Sequence, residues 1–505
     1  MVGRLEFGMV MGRSQVRRQA EAADSPDLEG FRIVVLGNFS GQAMPVGAQY
    51  QFKLLERIDI DSFDAVLTRL TSGMRLALPG PTGGVIDVPL SSMEDFEPDA
   101  LFLQQPLFAR LRQLRSRLAD SATFEAAAAE MRLADASCTA LPAVEDDRAT
   151  LSRLLGSSSG GLLPAATLSA SESPNRLDRL LRGILAPYIH PNTAHLQQAL
   201  LDALDRAVSD LMRQVLRHPS WREVEAAWRC VDNFLRTVDA PGVTLELLDV
   251  RAAELTAALD AAQGDLLSAE LTRLLDLRSH SEGLSARPAV VVGLYEFGSG
   301  NAELTLLAAL ATVCSDLGAV LLASAAPDLI APKLAALPSQ ALSGPTSPDP
   351  HSGWQGLRAR AIARQVALFY PRVLGRLPYG PRDQPVASFA FDELGDGHAL
   401  DRLAWRSAAL DAAALLAQAH AEEGRYFDPE QRRALGDFPA FVDRSQVETK
   451  LQACAEVFWS ERELAVIGGQ GIIPLISDAR LPRIRLGHWR SIAADGAPLQ
   501  GCWCI

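Results

Sequence analysis

The feature that most constrains this chain is its longest apolar tract, LTLLAALATVCSDLGAVLLASAA, which begins at Leu304. A membrane-spanning helix requires about 18 or more apolar residues with few charges. Ser315, Asp316 and Gly318 interrupt the tract, so it reads as a buried helix running into a buried strand. A further apolar run, PAVVVGLYEF (Pro288–Phe297), stands just before it and reads as a strand. Strand, helix and strand in succession place this part of the chain in the α/β class.

Length and charge narrow the remaining choices. The 505 residues, 48% hydrophobic and 22% charged, suffice for two to four globular domains with sizeable cores. A formal charge of −13 argues against a nucleic-acid partner, which calls for a basic face. The six cysteines are scattered, with no paired CxxC spacing for zinc, and are expected as free thiols in a reducing cytosol. Cys502 and Cys504 form the one close pair and carry no assigned role. The opening MVGRLEFGMVMGRSQVRR has no apolar core of the signal-peptide kind. A cytoplasmic protein that does not insert into a membrane is the expectation.

The first part, 28–133, opens with FRIVVLGNFSG, a buried strand and a turn. ERIDIDSFDAVLTRL and GGVIDVPLSSMEDFEPDALF each add a strand followed by a helix, and a long helical tail completes a small α/β region. Residues 134–180 are rich in Ser, Ala, Gly and Pro, the composition of a flexible linker. Within it Leu151, Leu154 and Leu155 keep the spacing of one or two helical turns. A larger α/β region fills 181–505, with helical patterns over 194–217 and 220–237 and a strand at 243–250.

The densest candidate for chemistry is HPSWREVEAAWR, His218–Arg229. Ser220 and Glu223 match the S-x-x-E capping box at a helix start, with Pro219 outside the cap. Trp221, Val224, Trp228, Val231 and Leu235 then recur at three- and four-residue steps, the apolar face of one helix. Glu225 and Arg229 are spaced for an i,i+4 ion pair, and His218 is left without a role. The stretch is a capped core helix, not a triad.

Other motifs fail on context. GSSSG (156–160) matches a nucleophile elbow in letters alone, because a Ser/Gly linker supplies neither the strand nor the helix that strains the serine. LGNFSG lacks both phosphate-loop patterns and reads as a tight turn. Glu94, Asp95, Glu97 and Asp99 lack the ligand alternation of a calcium loop and suit a helix N-terminus. No histidine pair, His190 and His195 included, has metal spacing. No catalytic residue, metal or cofactor is expected.

The N-terminal RLEFGMVMG differs. Leu5, Phe7 and Met9 alternate with Arg4, Glu6 and Gly8, and Met11 continues the row. An isolated strand is not stable alone, so its use is to extend a sheet edge, possibly on another chain. The alternative is an unstructured tail with a fortuitous alternation.

Taken in order, these blocks resemble the contractile sheath of the type VI secretion system, with its two subunits fused in one chain. The small subunit is similar to residues 1–133 through VVLGNFSG, ERIDIDSFDAVLTRL and SMEDFEPDAL. The large subunit is similar to residues from about 150 through LSRLLG, HPSWREVEAAWRCVDNFL, VVGLYEFG, LLASAAPDL, YPRVLGRLPYG, SFAFDEL and GIIPLIS. The resemblance implies two α/β regions sharing sheet strands, and a protomer that polymerises into a helical tube around an inner tube on a baseplate. It further implies that the strand carrying Leu5, Phe7, Met9 and Met11 enters a neighbouring protomer. Leu151, Leu154 and Leu155 fall where the family has a helix recognised by a AAA+ unfoldase, here internal because of the fusion. Two other readings accompany this one: a baseplate or cap adaptor of the same fold that does not polymerise, and an α/β enzyme with an accessory domain.

Overall fold

A computed structural model describes residues 30–42, 53–78, 84–138, 196–261, 265–277, 287–330, 352–395, 402–436, 438–443, 450–451, 454–478 and 481–504. The expected exchange strand (Leu5, Phe7, Met9, Met11), the linker helix (Leu151, Leu154, Leu155), GSSSG, His190 and His195 lie outside those residues.

Among the described residues the core is one nine-stranded sheet. Its strands are β1 (Phe31–Gly37), β2 (Glu56–Ile58), β3 (Val243–Asp249), β4 (Pro288–Phe297), β5 (Val320–Ala325), β6 (Val366–Tyr370), β7 (Ala434–Leu435), β8 (Ile472–Ser477) and β9 (Ile484–Leu486). The spatial order is β7-β9-β8-β6-β5-β4-β1-β3-β2. The six strands β8, β6, β5, β4, β1 and β3 run parallel, and β9, β7 and β2 add antiparallel edges.

The two regions separated in sequence are not separate in space. β1, from the first region, lies between β3 and β4 of the second, with Phe31 opposite Val243 and Ile33 opposite Val290. All seven residues of β1 are buried, which is why its sequence is a continuous apolar run and not an alternation. Ile33 and Val35 join the core on one face of the sheet, and Val34 and Leu36 join the core on the other. Burying each such side chain contributes about 1.5–3 kcal/mol, so this strand ties the regions together. The one charge on it, Arg32, is matched across the ladder by Glu246 at 2.7 Å.

The apolar tract at Leu304 divides as its interruption suggests. Helix α1 (Asn301–Leu317) ends at Gly318, whose φ of +71° is the left-handed stop that only glycine adopts cheaply, and β5 begins two residues later. The strand of GGVIDV (Gly84–Asp87) does not enter the main sheet. It pairs with Arg75–Leu78 as a separate hairpin.

Candidate functional site

The most diagnostic block of the sequence forms helix α2 (Pro219–Thr237), and its start differs from the expected one. His218 is the N-cap: its Nδ1 accepts from the Ser220 amide at 3.2 Å, and Pro219 is the first helical residue. Ser220 and Glu223 therefore do not make the capping box. Proline is well suited to the first helical position, where its missing N–H leaves no bond unmade, and that moves the cap back by two residues. Glu223 is drawn elsewhere, accepting from Asn38 Nδ2 at 2.9 Å and facing Arg251 at 3.6 Å.

The apolar face is placed on the first region of the chain. Trp221 and Trp228 are both fully buried. Trp228 meets Phe39 and Phe63 edge-on, each at 5.5 Å between ring centroids, and its Nε1 donates to the Phe39 carbonyl at 2.9 Å. Trp221 lies 5.2 Å from Phe96. Phe39 belongs to LGNFSG, which is a tight turn. Asp249 accepts from the Phe39 and Ser40 amides, Asn38 Oδ1 accepts from Gly41 N, and Gly41 takes φ +66°.

The polar face of the same helix carries what periodicity missed. Glu225 pairs with Arg229 at 2.9 Å, as the i,i+4 spacing predicts, yet it is almost wholly buried. The reason is Arg376, from YPRVLGRLPYG, which donates from Nε to Glu225 at 2.7 Å. Its Nη1 and Nη2 donate to Glu393, from SFAFDEL, at 2.6 and 3.0 Å. Glu393 also accepts from the Tyr379 amide at 2.9 Å, and the guanidinium lies 4.2 Å from the Tyr379 ring centroid. Two neighbouring blocks and a third 151 positions away thus meet in one buried ion network. Burial pushes the Glu225 carboxyl up, but Arg376 and Arg229 outweigh it and hold the group below the ordinary range. Burial opposes charge on Arg376 too, and the two glutamates raise it well above its usual value.

A second buried pair flanks the helix. Arg406 forks onto Asp411, whose Oδ1 also accepts from Asn233 at 2.7 Å. Cys230 packs beside it, its thiol pushed up to about 11 by burial.

A cleft of about 470 Å³ opens between α2 and the ends of β1 and β4, lined in part by Asn38, Glu223, Tyr295, Glu296, Arg372 and Trp405. Arg372 forks onto Glu456 at 2.7 and 3.1 Å and faces Glu296 at 3.7 Å, so these charges answer one another. Two residues of the acidic run at 94–99 accept from backbone amides: Asp95 from Ser91 and Ser92, and Asp99 from Ala387 and Ser388. Among the described residues no group of three or more His, Cys, Asp or Glu could hold a metal ion. No helix among them is long and apolar enough to cross a membrane.

Comparison with known proteins matches two stretches of the chain. The family model of the VipB-type tail sheath N-terminal domain matches residues 198–485, more than half of the chain. The type VI secretion system VipA model matches residues 19–134. The type VI secretion system sheath protein TssC1 of Pseudomonas aeruginosa is 24% identical over 295 residues, covering 55% of this chain. The chain spans 58% of that relative's length.

Proposed function

The chain belongs to the type VI secretion tail-sheath family, with VipA-type and VipB-type regions in one polypeptide, and on that premise we propose that it is a structural protomer of a contractile sheath. Copies polymerise into a helical tube in the cytoplasm around an inner tube seated on a baseplate, and contraction drives that inner tube outward to deliver effectors. The supporting observation is β1, which makes the two matched regions one body by lying inside the sheet of the second. Work in this scheme comes from the extended lattice, and no cofactor or catalytic residue is invoked.

The segment carrying Leu5, Phe7, Met9 and Met11 is assigned as the strand donated to a neighbouring protomer. Main-chain pairing through a tether tolerates large rotations of the joined bodies. Leu151, Leu154 and Leu155 are assigned as a recognition helix for a AAA+ unfoldase that recycles contracted sheath. Deleting residues 1–13 tests the first assignment. The truncated chain should remain folded by circular dichroism and form no tubes in negative stain; tubes of unchanged length refute it. The second is tested by pull-down with the unfoldase, where Leu154→Asp with Leu155→Asp abolishes capture. Uniform small particles from the intact chain at high concentration favour a cap or baseplate adaptor of the same fold.

A further inference from the structure

The segment Gly375–Leu394 leaves the core, turns and comes back, and both its ends are anchored on the second region. Glu393 N donates to Tyr379 O at 2.8 Å, Arg376 holds Glu393 by two bonds, and Arg217 Nη2 donates to the Glu393 carbonyl at 2.6 Å. Its return limb crosses the helix Leu196–Leu216, where Arg213 Nε donates to Asp392 O at 2.8 Å. The segment turns at Gly380–Gln384, where Gly380 N donates to Gln384 O at 2.8 Å, and the return limb beyond that turn touches the first region. The Ala387 and Ser388 amides both donate to the Asp99 carboxylate, at 3.0 and 2.7 Å. Phe389 stacks on Phe102 at 4.4 Å between centroids. The return limb thus presents two successive backbone amides to one carboxylate and, at the next residue, a ring to Phe102; a carboxylate held by two N–H donors is a directional contact.

From this geometry we infer that Gly375–Leu394 is a second element, beside β1 and the tryptophan helix, by which the second region recognises and holds the first, with Asp99 as the residue that determines that contact. This contact lies outside the sheet, so it contributes to retention of the first region separately from the ladder of β1. It acts whether or not the protein polymerises, so its test is independent of the sheath reading. The linker is then dispensable for association: once folded, the two regions stay together when the chain between them is cut.

The experiment places a site-specific protease sequence between Gly160 and Gly161 of the full chain, cleaves it, and follows exchange of the first region against a fluorescently labelled excess of the same piece. The parent stays co-eluting on size exclusion and exchanges slowly. Asp99→Asn, which keeps the size but removes the charge, and Phe389→Leu are each expected to speed exchange about tenfold or more, with unchanged circular dichroism. Arg364→Ala removes the surface pair Arg364–Asp495 within the second region and is expected to leave exchange unaltered. Exchange in Asp99→Asn and Phe389→Leu equal to the parent's overturns the inference, as does equal acceleration by Arg364→Ala. Separation of the parent pieces on cleavage also overturns it.

Discussion

Arg376 donates to Glu225 at 2.7 Å although the two residues are 151 positions apart and both side chains are almost wholly withdrawn from solvent. Their contact closes the second region around the helix that carries Trp221 and Trp228, and that helix in turn seats the first region. Taking two charges out of water is costly and is offset here by the further bonds that Arg229, Glu393 and the Tyr379 amide make within the network.

Removing one partner should therefore be far worse than removing the charge as a set. Arg376→Leu leaves two buried carboxylates facing each other and is expected to cost about 3–5 kcal/mol in urea unfolding. Adding Glu225→Gln and Glu393→Gln to Arg376→Leu should recover part of that loss. A triple variant no more stable than the single one contradicts the network's assigned cost.

The same network sets a pH response. Glu225 ionises below the ordinary glutamate value of about 4.3 in the folded chain. Its contribution is thus complete above that value and is lost as pH falls through the folded value, because the unfolded chain then binds more protons. Urea midpoints measured from pH 6 down to pH 3 should fall more steeply for the parent than for Glu225→Gln.

The two tryptophans should not be equivalent. The indole N–H of Trp228 donates to the Phe39 carbonyl, whereas that of Trp221 is buried without a partner among the described residues. Trp228→Phe leaves the carbonyl unpaired, and Trp221→Phe removes a buried unpaired donor. Trp228→Phe is accordingly expected to cost about 1–2 kcal/mol more than Trp221→Phe by chemical denaturation.

The helix start gives a further contrast. His218→Ala removes the observed cap and should cost about 1 kcal/mol, while Ser220→Ala should cost less than half of that. The reverse order in thermal melts would restore Ser220 as the cap.

These residues also show how far the sequence could be read. FRIVVLG and PAVVVGLYEF were legible as buried strands because an apolar run bounded by turn residues has a local signature. The face of α2 was legible from its spacing. The cap was misread because S-x-x-E fits one register while Pro219 at the first helical position fits another, and Glu223 is engaged instead by Asn38, remote in sequence. Arg376 and Glu393 escaped notice because an ion pair across a loop, or to a helix 151 positions away, leaves no period. Their only signal was that both stood in blocks shared with a known family. That the two regions share sheet strands was likewise implied by the resemblance; that the first supplies a strand flanked on both sides by the second was not legible in any local pattern.

The central claim, that this chain is a sheath protomer, is tested most directly by electron microscopy of the purified chain at high concentration. The account predicts hollow helical tubes with toothed cross-sections, built of a single 505-residue polypeptide. Monodisperse particles of one size, unchanged as concentration rises, would contradict it.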